Sequence, residues 1–367
     1  MKRFLTVFPL AENVHLIKDV GMIPFILHKE FGYDATLASY DNGNYGYLSN
    51  EVQGLKHVVI KRIFNNQLLD VCLFLLLNFR KYDVLQVYHL KITSMIWLWL
   101  FKLLKINKGK TYLKLDADSA LLRFNPSGIK KGIALSILRN IDLITVETKT
   151  YLQILNDNNT LGRKVEYCPN GFYDNGVKAY IATEEKENLM ITVGRIGTTQ
   201  KATETLCEGF RLFALSDKNW KLEVIGPIEP AFHTFIDDYF SKYPELKAQV
   251  SFLGEINDRG VLKAKYRNAR IFVLTSRWEG FPLVFPEALK AGCFIVSSEL
   301  PASIDVVDEG RGGLLFPVDD AKELAKSLSL AVANEDKLKA ACLQIQDNAY
   351  KNFYWPEIGK RIAHFLF

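Results

Sequence analysis

The sequence predicts an α/β protein of two open, parallel-sheet domains facing a central cleft. Three observations carry that expectation. Short β-rich runs alternate with helical stretches along almost the whole chain, the pattern of parallel sheets covered on both faces. A polar stretch, "YDNGVKAYIATEEKEN" (173–188), interrupts the alternation, which then restarts. At 367 residues the chain is also long for one hydrophobic core, so two domains are expected.

In chain order, residues 1–172 form the first expected domain. Its candidate strands are 3–8, 34–40, 57–62, 84–89, 111–116, 143–148 and 164–170, each rich in β-branched or aromatic residues. Helices are expected near 20–32, 66–80, 92–105, 130–139 and 148–156, where apolar residues recur at helical spacing. Residues 173–188 read as a linker and 189–352 as the second domain. Its strands fall at 189–194, 221–226, 249–254, 270–276, 293–298 and 312–316. A last amphipathic segment, 353–367, is expected to form a helix that packs back toward the first domain.

Composition narrows the class. Hydrophobic residues make up 49% and charged residues 24%, which places the chain among globular proteins rather than disordered ones. Residues 1–180 hold 23 Lys/Arg against 15 Asp/Glu, while the remainder is slightly acidic. That basic half suggests an anionic lipid or membrane partner, or simply an uneven solvated surface; no nucleic-acid partner is expected. The five cysteines are scattered singly, which argues against disulfides or a zinc site and for a reducing compartment. The longest apolar segments fall short of the roughly 20 residues that span a bilayer. A cytoplasmic protein is expected, with contact at the inner membrane face left open. The aromatic run "SMIWLWLFKLLKINKGK" reads either as an interfacial helix or as one buried on its sheet.

The stretch "SRWEGFPLVFPEALKAG" (276–292) separates Glu279 from Glu287 by Gly280, Phe281 and Pro282. Glu279 should end a loop, and Glu287 should lie on the second turn of a helix starting near Pro282. A helix start attracts anions through its bare N–H groups. Pro286 lacks an N–H and should leave the Pro282 carbonyl without its usual partner. Earlier, "ITVGRIGTTQKATETLCEGF" ends a strand at Gly194 and runs through Arg195, a Gly/Thr loop and Lys201 into a helix. Two cations beside a helix start suit a diphosphate, although a solvated loop would look the same in isolation.

Taken in order, "VGR…QK", "WKLEVIG", "VSFLG", "FVLTSRWEGFPLVFPEAL" and "GGLLFPVDDAKELAKSL" resemble the retaining, nucleotide-sugar-dependent glycosyltransferases of the GT-B fold, family 4 (glycosyl transferases group 1). The resemblance covers about 190–330; in the first half it is one of pattern. It implies that Arg195 and Lys201 hold the donor diphosphate and that Glu279 lies beside the donor sugar. It implies that Glu287 accepts from the ribose hydroxyls and that Glu255 and Ile256 contact the base. Gly280, Phe281, Pro282, Leu283 and Val284 would span the helix start near phosphate and sugar. Pro282 has no N–H, so Leu283 and Val284 are the better donors.

In the first half the resemblance assigns Gly21 to the family's glycine-rich loop near the donor phosphates, where a turn glycine would look alike. Many relatives carry a histidine after the strand "TYLKLD"; here Asp116 stands there, as a group that orients or deprotonates an acceptor hydroxyl. Asp118 either shares that role or caps the next helix. His89, at another strand end, is an acceptor-side candidate or a structural histidine. The "DAD" triplet matches a metal motif of the other large transferase fold, but Arg195 and Lys201 already fill the charge role. No metal and no resident cofactor are therefore expected. The implied function is transfer of a sugar from a nucleoside-diphosphate donor, such as a UDP-sugar, to a glycan or lipid-linked acceptor in polysaccharide assembly. A nucleotide-sugar epimerase and a non-catalytic nucleotide-sugar-binding protein are the alternatives.

Overall fold

The computed structural model describes every residue except 117–120, 122–127 and 308–309, and the side chains of 128–131 are also outside the description. Contacts within the chain divide it into two compact units, Met1–Tyr173 with Tyr354–Phe367, and Asp174–Phe353.

The first unit holds a seven-stranded sheet: β1 (Arg3–Val7), β2 (Asp34–Ser39), β3 (Lys56–Val59), β4 (Val84–Tyr88), β5 (Lys110–Leu115), β6 (Leu143–Val146) and β7 (Glu166–Tyr167). The order is β3-β2-β1-β4-β5-β6-β7 and every pairing is parallel. Alternate residues feed two cores, as strand geometry requires. Leu5, Val7, Leu85 and Val87 join one cluster with the helices Gln67–Asn78, Ile92–Leu104 and Lys149–Asp157. Phe4, Val84 and Tyr88 join the other with the helix Asp19–Phe31 and the C-terminal helix Trp355–Leu366. Trp355, Ile358, Ile362 and Leu366 bury that last helix in the first unit.

The second unit holds β8 (Glu187–Val193), β9 (Lys221–Ile225), β10 (Val250–Gly254), β11 (Ala269–Leu274), β12 (Phe294–Ser298) and β13 (Gly313–Phe316). Its order is β10-β9-β8-β11-β12-β13, again all parallel. In each sheet the strand order reverses once, between β1 and β4 and between β8 and β11. Open α/β sheets bind ligands beyond the strand carboxyl ends at such reversal points.

Five expectations change. The strand expected over 164–170 contracts to Glu166–Tyr167 at the sheet edge, and that over 57–62 stops at Val59. The polar stretch 173–188 is docked on the helix Glu335–Asn352, because Tyr180 donates to Asp347, the Ile181 amide to Gln346 and Tyr350 to Asp174. The helix expected to begin near Pro282 begins at Val284 and ends at Lys290. Pro286 then occupies its third position, where a helix needs no N–H, and the Pro282 carbonyl accepts from the Phe285 amide at 3.2 Å. The anticipated cost of Pro286 to that carbonyl is absent. Among the described residues, no helix is long and apolar enough to cross a membrane.

Candidate functional site

At the β8/β11 reversal the two strands end in small and polar residues, Gly194 after β8 and Thr275–Ser276 after β11. Gly194 and Gly226 are needed here. A Cβ on Gly226, whose φ is +138, would sit 1.8 Å from the Gly194 carbonyl oxygen, and a Cβ on Gly194 would press on the Lys201 side chain at 3.2 Å. Lys201 therefore lies across the strand end. Ala202 follows in the left-handed region at φ 47, an uncommon conformation without glycine. Such a residue marks a place where surrounding structure holds the backbone. The Thr275 hydroxyl donates to the Lys201 carbonyl at 2.9 Å and helps to hold it.

The lysine ammonium reaches Glu279 Oε1 at 2.6 Å, and the Ser276 hydroxyl donates to the same oxygen at 2.7 Å. Both members of the ion pair are largely buried. The structure thus joins Lys201 and Glu279, which sequence spacing alone separates by 78 residues. Arg195 is exposed and donates to Gln200 at 2.8 Å, while Gln200 donates to the Trp278 carbonyl at 2.9 Å.

Arg277 fastens this loop. It donates to the Thr199 carbonyl at 2.6 Å, pairs with Glu204 at 2.7 Å and with Asp319 at 2.8 Å, and its amide donates to the Gln200 carbonyl at 2.8 Å. The loops after β8 and β11 are tied into one surface by these bonds. Sequence reading passed over Arg277, Gln200 and Ser276, although Arg277 stands inside the glutamate-bearing stretch that drew attention.

Glu287 lies on the first turn of the helix Val284–Lys290, with Arg259 Nη2 at 4.0 Å from its carboxylate. Arg259 comes from the helix that follows β10 and is capped by Asp258. Tyr266 on that helix is wholly buried. Burial, and then the Glu287 charge, hold its hydroxyl well above the ordinary range. Glu255 is exposed and Ile256 half-buried, both in the loop leaving β10. Phe281 is buried, while Gly280, Pro282, Leu283 and Val284 are half-buried along the approach to the short helix.

In the first unit, His89 and Asp116 follow β4 and β5 and meet: His89 Nδ1 lies 2.9 Å from Asp116 Oδ2. A carboxylate accepts only, so Nδ1 carries the proton of this bond and Nε2 is left for another partner. His89 adopts a positive φ of 62, and its amide donates to the Lys114 carbonyl at 2.9 Å. Its ring rests beside Phe8 and Tyr88. Burial raises the Asp116 carboxyl, but the His89 hydrogen bond and the charges of His89, Lys114 and Lys91 prevail and hold it below the usual range.

Beneath the pair, the wholly buried Lys114 ammonium lies 2.9 Å from Glu147 and 3.4 Å from Asp19. Asp19, Asp116 and Glu147 converge within 4.8 Å of one another. Among the described residues, three carboxylates gather about one buried ammonium. The strain falls on Glu147, pushed up to about 7 by burial and by Asp116 and Asp19, with Lys114 opposing. Burial disfavours the Lys114 ammonium, yet Glu147 and Asp19 outweigh it and keep that group charged. Lys114, set between the apolar Leu113 and Leu115, was the available signal for this network.

Gly21 does not stand in a loop. It lies within the helix Asp19–Phe31, and a Cβ there would sit 2.2 Å from the Leu16 carbonyl oxygen. Its small size lets the 3₁₀ turn Asn13–Ile17 cross the helix start. Asp118 lies outside the described residues.

Two parallel α/β units, with this constellation at a strand-order reversal of the second, make a protein of GT-B class. Residues 178–352 match the model of glycosyl transferases group 1. Among curated relatives, a Campylobacter jejuni protein is 30% identical over 153 residues, covering 41% of this chain and 40% of its own. It is a GalNAc-alpha-(1->4)-GalNAc-alpha-(1->3)-diNAcBac-PP-undecaprenol alpha-1,4-N-acetyl-D-galactosaminyltransferase. The chain spans less than half the length of this and the next curated relatives it matches. Likeness of fold extends over both units. Sucrose-phosphate synthase from Thermosynechococcus elongatus superposes with a TM-score of 0.72 at 16% identity, over 99% of this chain and 98% of its own. Anabaena HepE, solved with UDP and glucose, gives 0.69 at 15% identity over 100% and 99%.

Proposed function

We propose that this protein is a retaining glycosyltransferase that moves a sugar from a nucleoside-diphosphate sugar, a UDP-sugar in the first instance, to a hydroxyl of a glycan or lipid-linked acceptor. The observation that carries the proposal is the Lys201–Glu279 pair, 2.6 Å apart at the carboxyl ends of β8 and β11 in a unit that matches the model of glycosyl transferases group 1.

In the proposed reaction the bond from the sugar's anomeric carbon to the diphosphate oxygen breaks, and its electron pair stays on that oxygen. The acceptor oxygen bonds to the anomeric carbon and releases its proton. Lys201 and Arg195 offset the charge that grows on the diphosphate, the electrostatic contribution that usually dominates such catalysis. Glu279 fixes the Lys201 ammonium and faces the sugar hydroxyls, and Glu287 receives those of the ribose. Leu283 and Val284 present amides near the phosphates, and Glu255 with Ile256 borders the base. On the acceptor side His89 Nε2, oriented by Asp116, takes part in handling the hydroxyl proton. The reaction is proposed to need no metal, because Arg195 and Lys201 supply positive charge to the diphosphate.

The test is a screen of uridine and guanosine diphosphate sugars for thermal stabilisation and for release of nucleoside diphosphate. A donor at 100 times its dissociation constant adds about 2.7 kcal/mol, and turnover should persist in excess chelator. Absence of any shift with every donor would discard the proposal. The epimerase alternative predicts sugar isomerisation without an acceptor. A binding protein predicts stabilisation without release. The curated relative and the family match support transfer instead.

A further inference from the structure

The helices Gln67–Asn78 and Ile92–Leu104 lie side by side on one face of the first sheet. Their inward stripes, among them Phe74 and Leu75 on one and Leu98 and Phe101 on the other, are buried in the core. The outward stripe of such a helix is ordinarily polar; here it is apolar. On the second helix Ile92, Trp99 and Leu103 are 76%, 51% and 57% exposed, and on the first Leu76 and Leu77 are 48% and 72% exposed. The positions Ile92, Ile96, Trp99 and Leu103 share one side of the helix, spaced by four, three and four residues. Both helices therefore expose apolar residues on their outward sides, and exposed apolar surface of this kind marks an interaction site.

Charge identifies what fits it. Residues 61–110 contain nine Lys/Arg and two Asp/Glu. Both acids are engaged within the fold, Asp70 by Tyr40 and the Ile63 and Phe64 amides and Asp83 by Arg3, while of the cations Lys102 and Lys110 pair with Asp142 and Lys105 with Asp83. Lys91 and Lys108 stand exposed at the two ends of the second helix. A second copy of the same face would set lysines against lysines, which disfavours self-association.

We propose that this face docks on an anionic lipid bilayer, with Trp99, Leu103 and their neighbours entering the headgroup boundary and the exposed Lys91 and Lys108 meeting lipid phosphates. Apolar burial and attraction to anionic lipid together govern such binding. The site would hold the protein at the surface that carries a lipid-linked acceptor. Its test reads binding alone, so its failure leaves the proposed transfer reaction standing.

The experiment is co-sedimentation of the full chain with phosphatidylcholine vesicles, with and without phosphatidylglycerol. Binding is expected only with phosphatidylglycerol and should weaken as salt rises. Tryptophan emission should shift to the blue on binding, and Trp99→Phe should remove most of that shift. The pair Trp99→Ser with Leu103→Ser should weaken partitioning at least about tenfold. Lys91→Gln and Lys108→Gln should each weaken it about fivefold. Wild-type melting of each variant separates lost docking from lost folding. Equal binding to both vesicle types, or full binding by the Trp99/Leu103 variant, overturns the proposal. So does concentration-dependent dimerisation that the same variant abolishes.

Discussion

The ammonium of Lys201 lies 2.6 Å from Glu279, and the Ser276 hydroxyl donates to the same carboxylate oxygen. The acid's charge is thereby offset from within the protein, and the lysine is the group that the proposed reaction sets against the diphosphate. Lys201→Ala, or Arg195→Ala beside it, should lower transfer by about 10²–10³-fold, the scale of one lost charge-stabilising group. Release of nucleoside diphosphate by purified variants measures this, and near-normal rates in both would remove these residues from the chemistry. Glu147 supports a different expectation. Its carboxyl rises from an ordinary value of 4.5 to about 7. Between those values the folded protein holds more protons at this site than the unfolded chain does. Stability therefore falls as pH rises across that window. Glu147→Gln should flatten the decline, read from denaturant midpoints at several pH values, even if the lost Lys114 contact lowers stability throughout. An unchanged slope would place the titration elsewhere.

At the scale of single elements, two short segments decide whether side chains meet. The 3₁₀ turn Asn13–Ile17 crosses the helix Asp19–Phe31 at Gly21, where a Cβ would lie 2.2 Å from the Leu16 carbonyl oxygen. The contact is with backbone, which cannot rotate away. Gly21→Ala should therefore cost at least about 3 kcal/mol, the upper part of the overpacking range. A loss below about 1 kcal/mol in chemical denaturation would show that the turn relaxes freely. Asp19 begins that helix and contributes to the Lys114 network, so the same variant should disturb the setting of His89 and Asp116. The second segment, Val284–Lys290, accommodates Pro286 because its third position needs no N–H.

At the scale of the whole molecule, the chain crosses from the second unit back to the first at its end. Trp355, Ile358, Ile362 and Leu366 complete a core begun by Phe4, Ile23 and Ile26. Trp355→Ala removes a large, fully buried ring and should destabilise the first unit by about 3–5 kcal/mol. The second unit contains the whole proposed donor site, so donor-induced stabilisation of its melting transition should survive. Loss of donor stabilisation in that variant would show that the two units do not fold independently of each other's cores.

Much of the fold was legible because its cues are local. The alternation of β-rich and helical runs determined two parallel α/β units, and Gly194, Gly226 and Gly254 marked where loops leave three strands of the second sheet. The residues proposed for the donor side were placed at strand ends for the same reason: "VGR" and the stretch holding Glu279 and Glu287 follow strands, whose ends in a parallel sheet face one edge. What sequence could not determine was pairing across long separations. Lys201 with Glu279, His89 with Asp116, and Lys114 with Asp19 and Glu147 join different strand ends, and only sheet order brings those ends together. The helix Ile92–Leu104 makes the same point. Its apolar residues fit a helix buried on its sheet, the favoured reading, or an interfacial one, because periodicity cannot say how many sides a neighbour covers. The sheet and the helix Gln67–Asn78 cover one side, and tertiary structure alone decided that the other would remain exposed.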